Sequence, residues 1–147
     1  MSLILSQQEA EALLALEKHY FGTDHFSFPG LGGSLRIPLH SNGRREEFNL
    51  DLTRGRILLS KNTFQTRARK VVILARLDLD GPSHRNPDGE EIDCPHLHLY
   101  REGYGDKWAT PLPAELSGIN DTMQLLDAFM DYCRIVGKPM IDGGLFV

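Results

Sequence analysis

Polar and apolar residues alternate along several stretches of the chain, and this period of two is typical of β-strands with one buried face. The alternation predicts strands over residues 35–39, 47–52 and 56–64. Residues 70–79 hold a nearly continuous apolar run, which predicts a strand in the middle of a sheet. Because Pro38 has no amide hydrogen, we expect the first of these strands to lie toward an edge.

Two turn-forming segments fix how these strands connect. Residues 41–44, Ser-Asn-Gly-Arg, are typical of a β-hairpin and join the first two strands. Residues 103–106, Gly-Tyr-Gly-Asp, return the chain from a later strand. A four-residue loop there would place Lys107 opposite Glu102 as a cross-strand ion pair.

A helix is predicted near the start of the chain. Residues 6–19 have amphipathic spacing, and Ser6 and Glu9 can form a capping box at the first turn. The glycines and prolines of residues 22–34, which follow, predict a connecting loop. Because the segment lacks the Gly-Lys-Ser/Thr ending of a phosphate-binding loop, we do not expect it to bind phosphate.

A second helix is predicted after Asn120 or Asp121, either of which can cap it, and residues 137–139 would end it. Its apolar positions at helical spacing are Met123, Leu126, Phe129, Met130 and Cys133. Residues 140–147 either add a last strand or have no regular structure. The prediction is one α+β domain over residues 1–147: an antiparallel β-meander of about six strands with the N-terminal and C-terminal helices packed on one face.

Composition fits this reading. The chain has 147 residues, 41% of them hydrophobic and 24% charged, as expected for one folded domain. Cys94 and Cys133 are too few for a disulfide framework, so we expect free thiols. No apolar run approaches the roughly 20 residues that cross a bilayer, and the N-terminus lacks a secretion signal. We expect a cytoplasmic protein with no membrane contact.

Charge is segregated along the chain, although the net charge is only −4. Residues 54–70 carry basic side chains and no acid, whereas residues 78–93 are mostly acidic. The basic stretch could bind an anionic ligand or nucleic acid, and its candidate ligand-binding residues are Arg67, Arg69 and Lys70. Alternatively, the two surfaces pair with each other or with the second subunit of a homodimer.

The richest chemistry lies in residues 94–103, which alternate strictly. The alternation predicts a strand with Leu97 and Leu99 in the core. The opposite face would carry His96, His98, Tyr100 and Glu102. Two imidazoles, a phenol and a carboxylate in one row can serve proton transfer, metal ligation or anion contact.

A divalent metal ion is one candidate cofactor. Same-face strand neighbours lie about 6.6–6.8 Å apart, so His96 and His98 can share one ion. A catalytic metal usually takes three protein ligands, and His84 is the natural third. The spacing His96-x-His98-x-x-x-Glu102 resembles the metal-binding strand of cupin barrels. The second cupin motif is absent, and we set that family aside.

Metal-free catalysis is the other chemical hypothesis. His96 and His98 would act as acid and base, with Lys107 neutralising a phosphate in the transition state. Tyr100 and Glu102 would contact the ligand beside them. The plain structural alternative is that this row only covers an exposed sheet face.

A block of residues also resembles a bacterial family of unknown function, small single-domain proteins of genomes and mobile elements. The resemblance rests on residues 84–89 (His-Arg-Asn-Pro-Asp-Gly), 95–103 (Pro-His-Leu-His-Leu-Tyr-Arg-Glu-Gly) and 107–109 (Lys-Trp-Ala). It implies no activity, but it does imply that His84, His96 and His98 belong to one unit.

Two classes of function fit these observations. The first is a ribonuclease- or phosphodiesterase-like hydrolase, or an anion- or metal-binding protein, with a histidine-centred site on the sheet. The second is a non-enzymatic interaction protein of phage, mobile-element or defence origin that docks a protein or nucleic-acid partner. An enzyme needs the three histidines to converge in a concave pocket.

Overall fold

A large, mostly antiparallel sheet and two helices make up the fold. The computed structural model describes residues 4–58 and 60–144. In chain order, the elements within these residues are α1 (Gln7–Ala15), β1 (Lys18–His19), β2 (His25–Ser27), β3 (Ser34–Ser41), a 3-10 turn (Asn42–Arg44), β4 (Glu47–Arg54), β5 (Asn62–Ala68), β6 (Val72–Leu79), β7 (His84–Arg85), β8 (Glu91–Ile92), β9 (His96–Leu99), β10 (Ala109–Pro111), α2 (Thr122–Tyr132), β11 (Ile135–Gly137) and β12 (Met140–Asp142).

The main sheet has eight described strands in the order β10-β9-β6-β5-β4-β3-β1-β11, rather than the predicted six or so. Strands β3 to β6 form the expected meander, and β6 lies inside the sheet between β5 and β9 as its apolar run predicted. The bounds predicted for the third strand, residues 56–64, are wrong, because β5 occupies Asn62–Ala68 and residues 56–57 form a bend before it. Within the described part of the sheet, β1 and β11 form the one parallel pair. These two strands are too short to show an alternating pattern, which explains why the sequence missed them. The α+β class is confirmed.

Pro38 lies where the sheet tolerates it. On one side, β3 pairs with β4 along its whole length. On the other side, β1 reaches only His40 and Ser41. The missing amide hydrogen of Pro38 therefore faces a stretch without a β1 partner, and this part of β3 behaves as an edge.

Both helices begin where expected and end earlier. The Ser6 hydroxyl accepts from the Glu9 amide at 3.1 Å, and the Glu9 carboxylate accepts from the Ser6 amide at 3.1 Å, which is the predicted capping box. Asp121 caps α2 by accepting from the Gln124 amide. The predicted ends at residues 19 and 137 are wrong, because Lys18–His19 and Ile135–Gly137 enter the sheet as β1 and β11.

The core lies against the inner face of the sheet and includes residues of both helices. Phe64 of β5 is fully buried and contacts Phe28 and Phe129, with ring centroids 6.0 Å and 6.1 Å away. Helix α1 contacts β6 and buries Ala10 and Leu13. No helix within residues 4–58 or 60–144 is long and apolar enough to cross a membrane.

A fully buried lysine joins the two helix ends. The Lys18 ammonium donates to the carbonyls of Leu14 at 2.8 Å, Leu16 at 2.9 Å and Cys133 at 2.7 Å. These carbonyls follow the last turns of α1 and α2, where partial negative charge accumulates. Burial lowers the pKa of Lys18 to about 8. The ammonium has three donors and meets three acceptors, so one side chain satisfies both helix ends.

Candidate functional site

The candidate site forms where β6 and β9 lie side by side. Their antiparallel register places Asp78 opposite His96 and Arg76 opposite His98. Residues directly opposite each other on one face of a sheet are close enough for their side chains to interact. Two residues from each strand therefore meet on the outer face, away from Leu97, which is buried in the core.

The histidines are buried, so they do not cover an exposed sheet face as the plain structural alternative would have it. His96 and His98 retain 2% and 1% of their accessible surface. The segment between Asp80 and Asp93 contains the small antiparallel β7–β8 sheet and brings His84 to them. The ring centroid of His84 lies 4.6 Å from that of His98 and 6.0 Å from that of His96.

Three donor atoms converge at the centre of this cluster. The Oδ2 atom of Asp78 lies 3.2 Å from Nε2 of His96 and 3.2 Å from Nε2 of His98. All three atoms lie within 4.8 Å of one another, which is close enough to hold one metal ion. The third group in this set is thus Asp78, where the sequence suggested His84.

Backbone carbonyls fix which nitrogen of each ring faces the centre. Nδ1 of His98 lies 2.7 Å from the carbonyl of Asp106, and Nδ1 of His96 lies 3.3 Å from the carbonyl of Asp93. A carbonyl only accepts, so each Nδ1 carries the proton that it donates. The Nε2 atoms are left to face the Asp78 carboxylate, and this is how metal-binding histidines are usually oriented.

Arg76 compensates the charge of Asp78. Its guanidinium donates to Asp78 Oδ1 at 3.1 Å and to Asp106 Oδ2 at 2.6 Å, and its Nη2 lies 3.1 Å from Nε2 of His98. Burial alone would raise the pKa of Asp78, but the contacts with His98 and Arg76 outweigh it and hold that pKa at about 2. Asp78 is therefore ionised throughout the physiological pH range.

His84 has a different place in the cluster. Its Nε2 donates to the carbonyl of Lys107 at 2.7 Å, and its ring meets His98 edge-on at 74°. The carbonyls of Asp106 and Lys107, in the loop between β9 and β10, therefore orient His98 and His84.

Asn86 fastens the segment of residues 80–93, here called the covering loop, to the edge of the sheet. Its side-chain amide donates to the carbonyl of Ala109 at 2.9 Å and accepts from the Ala109 amide at 2.8 Å. The carboxamide thereby pairs with β10 as a neighbouring strand would. Residues 86–89 form a turn, with Gly89 at φ 91°, and the asparagine at its start is buried.

Asn86→Ala should release this loop. The exchange would leave the amide and carbonyl of Ala109 without their partner, at a cost of about 2 kcal/mol in the free energy of unfolding. Chemical denaturation measures this loss, and hydrogen exchange should show a faster Ala109 amide. The exposed Asn42 is the matched control, so Asn42→Ala should leave both unchanged. Equal stability of the two variants would show that Asn86 does not fasten the loop.

A cavity of about 370 Å³ opens beside the cluster. It lies between the covering loop and the open end of the β5–β6 hairpin, where β5 begins and β6 ends. Its charged and histidine side chains are Lys61, Arg76, Asp78, Asp80, His84 and His96. The histidines therefore converge next to a concave surface, as a catalytic or ligand-binding site requires.

Residues 5–135 match DUF6978, which is described as a family of unknown function. The chain belongs to this family. The match covers every residue of the cluster and bears out the resemblance to an uncharacterised family. No curated protein and no solved structure matches the chain.

In this DUF6978 chain, two residues predicted to contact a ligand make hydrogen bonds within the fold. The Tyr100 hydroxyl donates to the carbonyl of Leu5 and accepts from its amide. The Glu102 carboxylate accepts from the amide of Gln7. Regular pairing of β9 ends at Leu99, so Tyr100 and Glu102 anchor the segment before α1 rather than extend the histidine row.

Lys107 does not stand opposite Glu102. The register pairs Ala109 with His98, and Arg101 bridges to Gly105. The turn therefore closes over residues 102–104, and regular pairing of the two strands ends at Leu99 and resumes at Ala109. The Lys107 side chain is exposed, and this residue contributes its carbonyl, rather than its amine, to the cluster.

Two of the three candidate residues in the basic stretch pair with acids on or beside β4. Arg67 bonds to the Asp51 carboxylate, with Nη2 3.0 Å from Oδ1. Arg69 lies 3.2 Å from Glu46. Lys70 occupies the β5–β6 turn at φ 71°. The structure brings none of the three to the cluster, and the partners of Arg67 and Arg69 lie outside the acidic stretch 78–93.

Sequence reasoning missed Asp78, Arg76 and Asn86. A usable pattern was present for the first two, because the apolar strand over residues 70–79 is interrupted by polar residues only near its end. If the strand after the 80–93 segment pairs antiparallel with this one, the polar residues near its end lie beside the histidines. No such pattern marks Asn86, because asparagine is common in turns and the sequence does not indicate that its side chain bonds to Ala109.

Proposed function

We propose that the protein binds a divalent transition-metal ion through Asp78, His96 and His98, and uses it to bind and hydrolyse a phosphorylated ligand in the adjacent cavity. One observation carries the proposal. Two imidazole Nε2 atoms, each turned inward by a carbonyl on Nδ1, meet the same carboxylate oxygen at 3.2 Å.

This arrangement calls for a cation. With both Nδ1 atoms donating to carbonyls, the two Nε2 atoms face one carboxylate oxygen, and a metal ion between them would bind both nitrogen lone pairs and the anionic oxygen together. Zinc bonds of about 2.0–2.1 Å to nitrogen and oxygen give about 3.3 Å between neighbouring tetrahedral ligands. The separations from Asp78 to each histidine match that edge length.

The ligand number also suits catalysis. Two histidines and a carboxylate leave a fourth position for water or substrate, as in catalytic zinc sites. A bound divalent ion lowers the pKa of its water to about 7 and stabilises charge on a phosphoryl oxygen. The cavity beside His96 supplies space for the ligand.

Arg76 supports a second candidate, a metal-free acid–base site. Its Nη2 at 3.1 Å from His98 Nε2 supplies positive charge at the cluster without an ion. In that mechanism His96 and His98 move protons, and Arg76 takes the role that the sequence suggested for Lys107. A bound metal would require the guanidinium to turn away from His98 Nε2.

Metal titration separates the candidates. Protein stripped with chelator and dialysed should bind one equivalent of Zn²⁺ or Co²⁺, measured by calorimetry and by the visible spectrum of tetrahedral Co²⁺. At a free ion concentration 100 times the Kd, the free energy of unfolding should rise by about 2.7 kcal/mol. Absence of both binding and stabilisation would contradict the metal proposal, and phosphoester hydrolysis in excess chelator would then support the metal-free site.

A further inference from the structure

The Arg76 side chain bonds to the same atoms that are proposed to hold the metal ion. Its Nη2 atom lies 3.1 Å from Nε2 of His98 and 3.3 Å from Oδ2 of Asp78. These are two of the three donor atoms that meet in the cluster. A guanidinium is always charged and only donates hydrogen bonds, so one nitrogen of Arg76 satisfies both atoms with positive charge.

The guanidinium and a metal ion exclude each other at His98. The neutral ring has one lone pair on Nε2, because Nδ1 donates to the carbonyl of Asp106. Arg76 uses that lone pair, and a metal ligand needs the same one. The third donor atom, Nε2 of His96, instead lies against Asp78 Oδ2 at 3.2 Å. A metal ion would therefore contact all three atoms, whereas the guanidinium contacts two.

A second carboxylate holds Arg76 without taking part in the cluster. The Nη1 atom donates to Asp106 Oδ2 at 2.6 Å, and this bond does not involve any of the three donor atoms. When Nη2 leaves His98, the bond to Asp106 can keep the guanidinium at the edge of the site. Arg76 also lines the cavity beside the cluster, so a displaced Nη2 stays within reach of a ligand there.

We propose that Arg76 competes with the metal ion for the cluster and, once displaced, binds the phosphoryl group of the ligand. In the metal-free protein the guanidinium neutralises Asp78 and occupies the lone pair of His98. In the loaded protein the ion takes over both contacts, and the planar fork of the guanidinium, still held by Asp106, suits phosphate oxygens. This inference rests on the proposed metal site. It implies that the ion binds before the phosphoryl ligand.

Arg76→Met tests both roles, because they change two affinities in opposite directions. Zn²⁺ should bind the variant about tenfold or more tightly than the wild type, since a competing cation beside the ion is gone. Inorganic phosphate should bind the Zn²⁺-loaded variant about tenfold more weakly, since a charged hydrogen-bond donor is lost. Calorimetry measures both, with phosphate titrated into protein that holds one equivalent of Zn²⁺. A residue that only supported the fold would lower both affinities together.

Two further variants complete the test. Arg67→Met removes an arginine that pairs with Asp51 on the neighbouring strands, outside the cavity, and should change neither affinity. Arg76→Lys keeps the charge but loses the fork, so both of its affinities should lie between those of the wild type and Arg76→Met. The lysine variant gives the same signs if the methionine variant does not fold, which circular dichroism of the metal-free proteins shows.

The outcomes keep this inference separate from the proposed function. Weaker or unchanged Zn²⁺ binding by both Arg76 variants would overturn the competition. Unchanged phosphate binding by the Zn²⁺-loaded variants would overturn the second role of the guanidinium. In either case a wild type that retains Zn²⁺ leaves the proposed metal site standing. If neither the wild type nor Arg76→Met binds Zn²⁺, the metal site fails and this inference fails with it.

Discussion

Asp78→Asn, His96→Gln and His98→Gln should each weaken Zn²⁺ binding by at least about 100-fold. Loss of a partner that only orients a ligand typically costs 10- to 100-fold, and these residues supply the ligand atoms themselves. His84→Gln should cost about tenfold or less, because Nε2 of His84 is bound to the Lys107 carbonyl and the ring contacts His98 only at its edge. Calorimetric titration of the four variants measures this order.

His25→Gln is the control for this series, since His25 is exposed on β2 and lies outside the cluster. Circular dichroism and thermal unfolding of each metal-free variant show whether the fold is intact. Should His84→Gln abolish binding while Asp78→Asn retains it, the ligands would be the three histidines expected from the sequence, and the carboxylate assignment would be wrong.

Lys18→Met should lower the free energy of unfolding by about 2–4 kcal/mol. The substitution keeps the length of the buried side chain but leaves three helix-end carbonyls without a donor. The control is Lys138→Met, which removes exposed ion pairs to Asp127 and Asp131 and should cost less than about 1 kcal/mol. Urea denaturation at neutral pH compares the two. A Lys18 variant as stable as the wild type would contradict the role of the ammonium.

The same pair of proteins shows a pH dependence with a defined sign. The pKa of Lys18 is about 8 in the folded protein and about 10.4 in an unfolded chain. Between these values the unfolded chain binds the proton more strongly, so this group makes the folded state more stable as the pH rises. The wild type should therefore gain up to about 3 kcal/mol over Lys18→Met between pH 7.5 and 10. A constant difference would show that burial does not lower this pKa.

The sequence predicted those parts of the fold that repeat a pattern. Alternation located the β3–β6 meander and the histidine strand, and the capping box located the start of α1. The strands β1, β7, β8 and β11 have two or three residues. Strands β1 and β11 form because each pairs with a distant segment, and β7 and β8 pair with each other across a short turn. None of the four is long enough to show an alternating pattern.

The sequence predicted the histidines of the candidate site but not their carboxylate partner, for a related reason. Same-face spacing joined His96 and His98, and loop length allowed His84 to reach them. The carboxylate partner depends on which strand lies beside β9 and in which register, and this is a property of the whole sheet. Burial of the histidines depends on Asn86 and the covering loop, whose contact with Ala109 spans 23 residues.

On the ribosome, β1 emerges long before the strand that it pairs with. Ile135 is the partner of Lys18, and the Cys133 carbonyl that accepts a hydrogen bond from the Lys18 ammonium lies 115 residues further along the chain. At 5–20 residues per second, this interval lasts roughly 6–23 s. The β3–β6 meander, whose strands are neighbours in sequence, can form in that time. The sheet is complete on the β1 side only after β11 has left the exit tunnel. In a nascent chain stalled before residue 133, Lys18 therefore lacks its third hydrogen-bond acceptor.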